Sequence, residues 1–426
     1  MNRLKTLAHT TFASLKIRNY RLYYWGQAIS MSGSWMQTVA LGWLALQLSG
    51  SGVQLGIVVA LQFLPILLLG PWGGVIADRF DKRKTLLYTQ IGFSTLALLM
   101  SVLVFTDLVA VWMLYVFALT FGFVKMFYEP VRQTFLYEMV DSQYLKNAIS
   151  LNAALNNLAR VIGPSIGGFL ILGAGIAFCF AVNAVAQLGV IAMLLAMNKG
   201  ELKQSHHGEN RPGQLKEGLR YVMATPVIRN TLIMMAVIGT FALEWQVSLP
   251  LMAERAYGGG AESYAALLSA LGVGAVVGGL FAASRHKVAP HHLLFFSFLF
   301  GISMVVTSLM PTLHLAVLGM VFVGFFSANQ GTLANTIIQL ESRPEMRGRV
   351  MSLWSMAIQG STPIGGPIIG IIGQFAGPRW GLIVGGLSAV FAAGVASIPL
   401  LKRDREQEIP ESSTVEIGDP AATGNK

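Results

Sequence analysis

Charge is scarce in this chain. Asp, Glu, Lys and Arg make up 12% of its 426 residues, where a soluble domain carries roughly a quarter. So little polar surface cannot keep a soluble protein of this size in water, whereas a bilayer favours apolar outer surfaces. Cysteine is scarcer still: Cys179 stands alone in an apolar run, so no internal disulfide and no oxidised scaffold is expected. Chemical motifs are missing too. There is no GxxxxGK[ST] phosphate loop, nucleophile elbow or metal-ligand cluster, and His206-His207 and His291-His292 are isolated loop pairs. An enzyme, ATP drive and a resident cofactor or metal are therefore not expected. No cleavable leader is expected, because no small-residue cleavage site follows the first apolar run.

What is present is hydrophobic, at 54% of residues, together with 46 glycines that let membrane helices approach closely. Runs long enough to cross a bilayer fall near 22–48, 52–77, 85–105, 108–136, 146–172 and 176–197, and again near 231–252, 262–284, 291–310, 313–337, 348–374 and 379–401. The expectation is an all-α membrane protein of twelve transmembrane helices in two six-helix bundles, residues 1–198 and 231–401. A polar cytoplasmic linker (199–230) would join them, and a disordered cytoplasmic tail (402–426) would follow. The net charge of +10 does not point to nucleic acid, since the basic residues cluster in short loops between apolar runs. With both termini in the cytoplasm, only Arg255 and Arg379 of the 30 Lys and Arg fall in outer loops. The halves also echo one another: Asp141-Ser142 leads to GPSIGG at 163–168, and about 200 residues later Glu341-Ser342 leads to TPIGG at 362–366.

The loop after the second run reads Gly74-Val-Ile-Ala-Asp78-Arg79-Phe-Asp81-Lys82-Arg83-Lys84. It resembles the signature loop of the major facilitator superfamily, with Asp81 in place of the usual second glycine. The resemblance implies that Asp78 holds the N-terminus of the eleventh span, near Gly348-Arg349-Val350. A carboxylate there would face unpaired N–H groups and a positive dipole end. Arg79 and Arg83 could pair with Glu138 or Asp141 and latch the cytoplasmic side. The equivalent loop at 278–287 has Ala283 where the acid would stand, so any latch is asymmetric. Gly163-Pro164-Ser-Ile-Gly167-Gly168 is similar to the proline-glycine motif of exporters and antiporters in this superfamily, with Ala159 where another glycine is usual. The opening segment, FYEPVRQTFLYEMV and EMRGRVMSLW resemble the drug:proton antiporter branch that contains macrolide efflux pumps and enterobactin exporters, over roughly residues 12–401. A multi-pass protein of the bacterial inner membrane, monomeric and among lipids, is what this implies.

Charged and polar residues inside the spans are the candidates for function. Lys125, Glu129 and Arg132 share a face of span four, and Asn152, Asn156 and Arg160 a face of span five. Thr240, Glu244 and Ser248 do so in span seven, Gln27, Ser30, Ser34 and Gln37 in span one, and Ser327, Gln330 and Asn335 in span ten. The resemblance places spans one, four, seven and ten around a central cavity. Glu129 or Glu244 is the expected carrier of a coupling proton, because a carboxyl group in a partly dry cavity can titrate near neutral pH. Glu129, beside Lys125, is equally readable as a fixed ion pair. Met31, Trp35, Phe121, Met126, Phe127, Trp245 and Phe326 lie on or beside these stripes and suit an amphipathic ligand. Export of such a small molecule, a drug or a siderophore, by proton antiport leads. Import or facilitated passage of a nutrient stays open, as does movement of a lysophospholipid, whose phosphate Lys125, Arg132 and Arg160 could meet.

Overall fold

The computed structural model describes residues 12–203, 214–285 and 288–408, with side chains at 71–79, 214–215 and 401–408 left aside. The first half comprises α1 (Arg18–Ser49), α2 (Gly52–Arg79), α3 (Lys82–Phe105), α4 (Val111–Met139), α5 (Ser142–Ala174) and α6 (Ile176–Ala196). A linker helix α7 (Gln214–Ala224) precedes the second half: α8 (Pro226–Ala242), α9 (Trp245–Leu251), α10 (Ala261–Ala283), α11 (Pro290–Ser308), α12 (Leu313–Glu341), α13 (Arg347–Ile358), α14 (Thr362–Phe375) and α15 (Trp380–Glu408). Among the described residues, ten helical stretches are long and apolar enough to cross a membrane. The polar α1 and the interrupted pair α13–α14 complete the twelve elements of the bundle.

Several boundaries differ from the sequence reading. The seventh span starts at Pro226, not 231, because Pro226 at the first helical turn needs no N–H partner. The last helix runs on to Glu408 through the helix-forming Lys402–Glu408 stretch, past the expected start of the tail. Spans seven and eleven are each broken rather than continuous. Span eleven breaks at Gln359–Ser361, with Gly360 inside the gap and Pro363 in the first turn of the next helix. Span seven breaks at Leu243–Glu244, where Glu244 adopts ψ 51°. There the backbone of Gly365 rests on the Thr240 carbonyl, the group that would accept from the Glu244 amide in a continuous helix.

The halves meet along two helix pairs, α2 with α14 and α5 with α10. Small residues bring each pair together: Gly52 lies on Gly370 and Gly56 on Gly366. Gly168 lies on Ala265, and Gly272 on the Arg160 carbonyl. All of these contacts fall from mid-helix to the end opposite the chain termini. Toward the terminus end, Gly279 and Gly331 face open space. Small-residue packing between the halves is thus concentrated from mid-helix to the far end.

Polar ties hold the first half together. Asn183 donates to Gln37 Oε1 at 2.6 Å, Gln187 donates to Asn183 Oδ1 at 3.2 Å, and Ser30 donates to Gln187 Oε1 at 2.8 Å. Tyr128 donates to Gln27 Oε1 at 2.9 Å. The stripe expected on span one to line a cavity is therefore spent largely on α6 and α4. A buried amide in hydrocarbon must find a partner, and the nearest helix supplies it.

Candidate functional site

A cavity of about 370 Å³ lies between the halves, walled by α1, α5, the α8–α9 turn, α10 and α12. Trp35 and Arg160 contribute from the first half, with Leu243, Trp245, Gln246, Ser327 and Thr332 from the second. Gly163 explains the first pair: it lets α5 close onto α1 at Trp35 and Ser32, which sets the Arg160 guanidinium 5.2 Å from the Trp35 ring centroid. Trp245 is fixed by edge-on contact with Phe300 at 6.1 Å. Asn157 lines the cavity, whereas the expected Asn156 donates to the Asn152 carbonyl on its own helix. Of the expected stripe on span five, Arg160 lines the cavity and Asn156 does not.

The span-four charges form their own cluster. Arg132 pairs with Glu129 at 3.2 Å, and Lys125 Nζ stands 4.4 Å from the centre of the Phe63 ring. Arg132 is buried, with Nε and Nη1 unpartnered and its Cζ 5.8 Å from the Tyr128 ring centre. Of the aromatic and methionine residues noted in the sequence, Met31 and Met126 are buried in packing, while Trp35 and Trp245 reach the cavity. In span ten, Ser327 lines the wall but Gln330 is buried and Asn335 accepts from Gln339.

Glu244 is neither on the cavity wall nor at a solvated mouth. At 3% exposure it turns onto α14, with Thr362 beside its carboxyl group and Gly365 and Gly366 packed around it. Its Oε1 has no hydrogen-bond partner, and no described cation pairs with it. Because Gly366 also touches Gly56, the carboxyl group sits at the seam where α14 meets α2 of the other half. Its neighbours Leu243, Trp245 and Gln246 face the cavity.

The far end is held by Arg255, noted above only as an outer-loop cation, together with Gly50 and Gln374. Arg255 Nη2 donates to the Gly50 carbonyl at 2.6 Å and Nη1 to Gln374 Oε1 at 2.9 Å. Gln374 Oε1 also accepts from Gly52 N at 2.8 Å. Gly50 closes α1 in the left-handed conformation, φ 58°, which presents its carbonyl to the arginine. Arg379 instead caps α11, donating to the Ser308 and Met310 carbonyls at 2.7 and 2.8 Å.

At the terminus end, Gly74, Asp78 and Arg79 lie outside the residues whose side chains are described. Arg83 does not pair with Glu138 or Asp141. It caps α6, donating to the Leu194 carbonyl at 2.8 Å and to Leu195 at 3.3 Å. Lys82, one residue earlier and so turned by about 100°, pairs with Glu138 at 2.9 Å, and Lys203 pairs with Asp141. Asp81, the departure from glycine in the signature loop, caps α3 by accepting from Lys84 N at 2.9 Å. The linker helix is tied to span eleven by Glu217–Arg349 at 2.8 Å. In the proline-glycine motif, Pro164 is buried in an unbroken α5, Gly163 and Gly167 pack on α1, and Gly168 packs on α10.

This architecture recurs in known transporters. A bacterial homologue of the human lysosomal transporter Spinster, in an inward-facing and unoccupied conformation, superposes with a TM-score of 0.69 at 14% identity, covering 90% of this chain and 98% of that one. A POT family transporter in complex with 5-aminolevulinic acid gives 0.74 at 11% identity, covering 90% and 96%. In sequence, the staphyloferrin A transporter of Staphylococcus aureus is 23% identical over 81% of this chain and 87% of its own length. The enterobactin exporter of Shigella flexneri is 25% identical over 80% and 82%. A family model described as transmembrane secretion effector matches residues 9–417. The chain is thus a multi-pass membrane transporter of the major facilitator superfamily, belonging to its transmembrane secretion effector family.

Proposed function

We propose that this transporter exports an amphipathic small molecule of the siderophore kind, exchanging it for protons by alternating access, with Glu244 as the proton carrier. The orientation follows from the basic-residue bias, which puts the terminus end, away from the small-residue seam, in the cytoplasm. The cavity then loads from inside, as an exporter requires. The observation that carries the reading is the position of Glu244: a carboxyl group with an unpartnered oxygen, at the seam between halves, one residue from the cavity wall on either side. Gain or loss of a proton there changes the cost of keeping that seam closed. Glu129, already tied to Arg132, is the lesser candidate. The named relatives, a staphyloferrin A transporter and an enterobactin exporter, support a siderophore-type ligand.

The test is substrate-induced proton movement in everted vesicles, across siderophores, macrolides, dyes and lysophospholipids. Proton release on adding one ligand class, abolished in Glu244→Gln and retained in Glu129→Gln, is the expected result. Undiminished proton release in Glu244→Gln would remove Glu244 from the mechanism. Ligand movement without protons would remove antiport.

A further inference from the structure

Arg160 is a permanent cation in the cavity wall, and among the described residues no acidic side chain pairs with it. Its Nε is buried without a hydrogen-bond partner, and its guanidinium lies over the face of Trp35. The surrounding elements offer no free acid: α1 and α5 contain no Asp or Glu, and α10 has only Glu262, at the far end. In α12 the one acid is Glu341, its last residue, while Glu244 is turned onto α14 and Glu129 is held by Arg132. A guanidinium at membrane depth without a counter-ion is costly, and an arriving oxyanion would repay that cost through paired N–H donors. Beside it, Trp35 and Trp245 offer two indole surfaces from opposite halves.

We infer that the Arg160–Trp35–Trp245 wall is a subsite for a carboxylate or catecholate carried on an aromatic or flat small molecule, and that it rejects lipophilic cations. The inference rests on the export reading above and narrows its substrate class. It also has an electrical consequence. Exchanging a monoanion for one proton moves two charge equivalents in the direction an inside-negative potential favours. Each charge is worth about 50-fold in attainable gradient per 100 mV, so two are worth about 2,500-fold. A monocation exchanged for one proton would move none.

The experiment uses the full chain in proteoliposomes with four probes: a tricatecholate, a citrate-based polycarboxylate, ethidium and lysophosphatidylglycerol. Binding of at least one of the first two is expected, weakened about 30-fold or more in Arg160→Gln and restored to within about tenfold in Arg160→Lys. Ethidium should bind no tighter than in empty controls, and clamping the potential to zero should collapse anion accumulation. Protection of Cys179 from a thiol-reactive dye checks that each variant is folded, since that thiol is buried. Unchanged anion affinity in folded Arg160→Gln overturns the subsite, as does preference for ethidium, or no anion binding at millimolar concentration. Arg160-dependent binding of the lysophospholipid alone would overturn the small-molecule assignment. Ethidium-driven proton movement lost in Glu244→Gln keeps antiport and removes the subsite, while anion binding without proton movement does the reverse.

Discussion

Replacing Arg255 by alanine removes both side-chain hydrogen bonds that tie the end of span seven to the first half and to span eleven. Hydrogen bonds to a charged group contribute roughly 1.5–3 kcal/mol when buried. The Arg255 side chain is 27% exposed and shares its charge with Glu254 at 3.6 Å, so water discounts that figure. A net loss of about 1–2 kcal/mol for the two bonds together is reasonable, which shifts the ratio of far-end-closed to far-end-open molecules about 5- to 30-fold. Arg255→Lys keeps the charge but cannot reach two acceptors through a planar fork, and should fall between. The shift is measurable as a distance distribution between spin labels at Leu108→Cys and Pro311→Cys, exposed connector positions at the far end of opposite halves. The background needs only Cys179 replaced. Arg255→Ala should move population toward longer distances in the absence of ligand. A distribution within twofold of the parent in both variants would show that small-residue packing alone closes this end.

Two further changes probe the packing. Gly365→Ala would push a methyl group into the Thr240 carbonyl and to within 3.0 Å of Glu244 Oε1. It should destabilise the protein by about 1–3 kcal/mol and lower its thermal midpoint in a Cys179-unmasking melt; an unchanged midpoint would mean spans seven and eleven can separate freely there. Asn183→Leu leaves Gln37 Oε1 without its donor and Gln187 Nε2 with only its longer 3.5 Å contact to the Ser34 hydroxyl, so a loss of about 1–3 kcal/mol is expected in the same melt. A stabilised variant would show that this amide ladder serves some purpose other than cohesion.

The gross architecture was legible in hydropathy because the bilayer imposes it: the twelve runs and the repeated halves follow from length, apolarity and small-residue motifs. The finer assignments depended on which neighbour a polar side chain meets, and periodicity is silent on that. Gln27, Ser30 and Gln37 form a stripe in sequence, yet their partners Tyr128, Gln187 and Asn183 lie on other helices. Asn183 and Gln187, four residues apart in α6, carry the same kind of signal. Helical spacing also put Thr240, Glu244 and Ser248 on one face, an inference that fails once the helix breaks between 242 and 245. Arg255 carried no local signature at all. Its acceptors, Gly50 and Gln374, are 205 and 119 residues away.

The broken spans have a mechanical consequence. If the two halves descend from one six-helix unit, α1 and α5 are the counterparts of spans seven and eleven. Those counterparts are uninterrupted rods of 32 and 33 residues. The rod shape survives on one side of the cavity and is jointed twice on the other, with both joints at the level of a single acidic side chain. A continuous helix spreads bending over its whole length, whereas a helix interrupted midway concentrates it at the gap. Compliance is therefore unequally shared: one bundle acts as anvil, and the other carries the elbows, with the Glu244 side chain lodged between them.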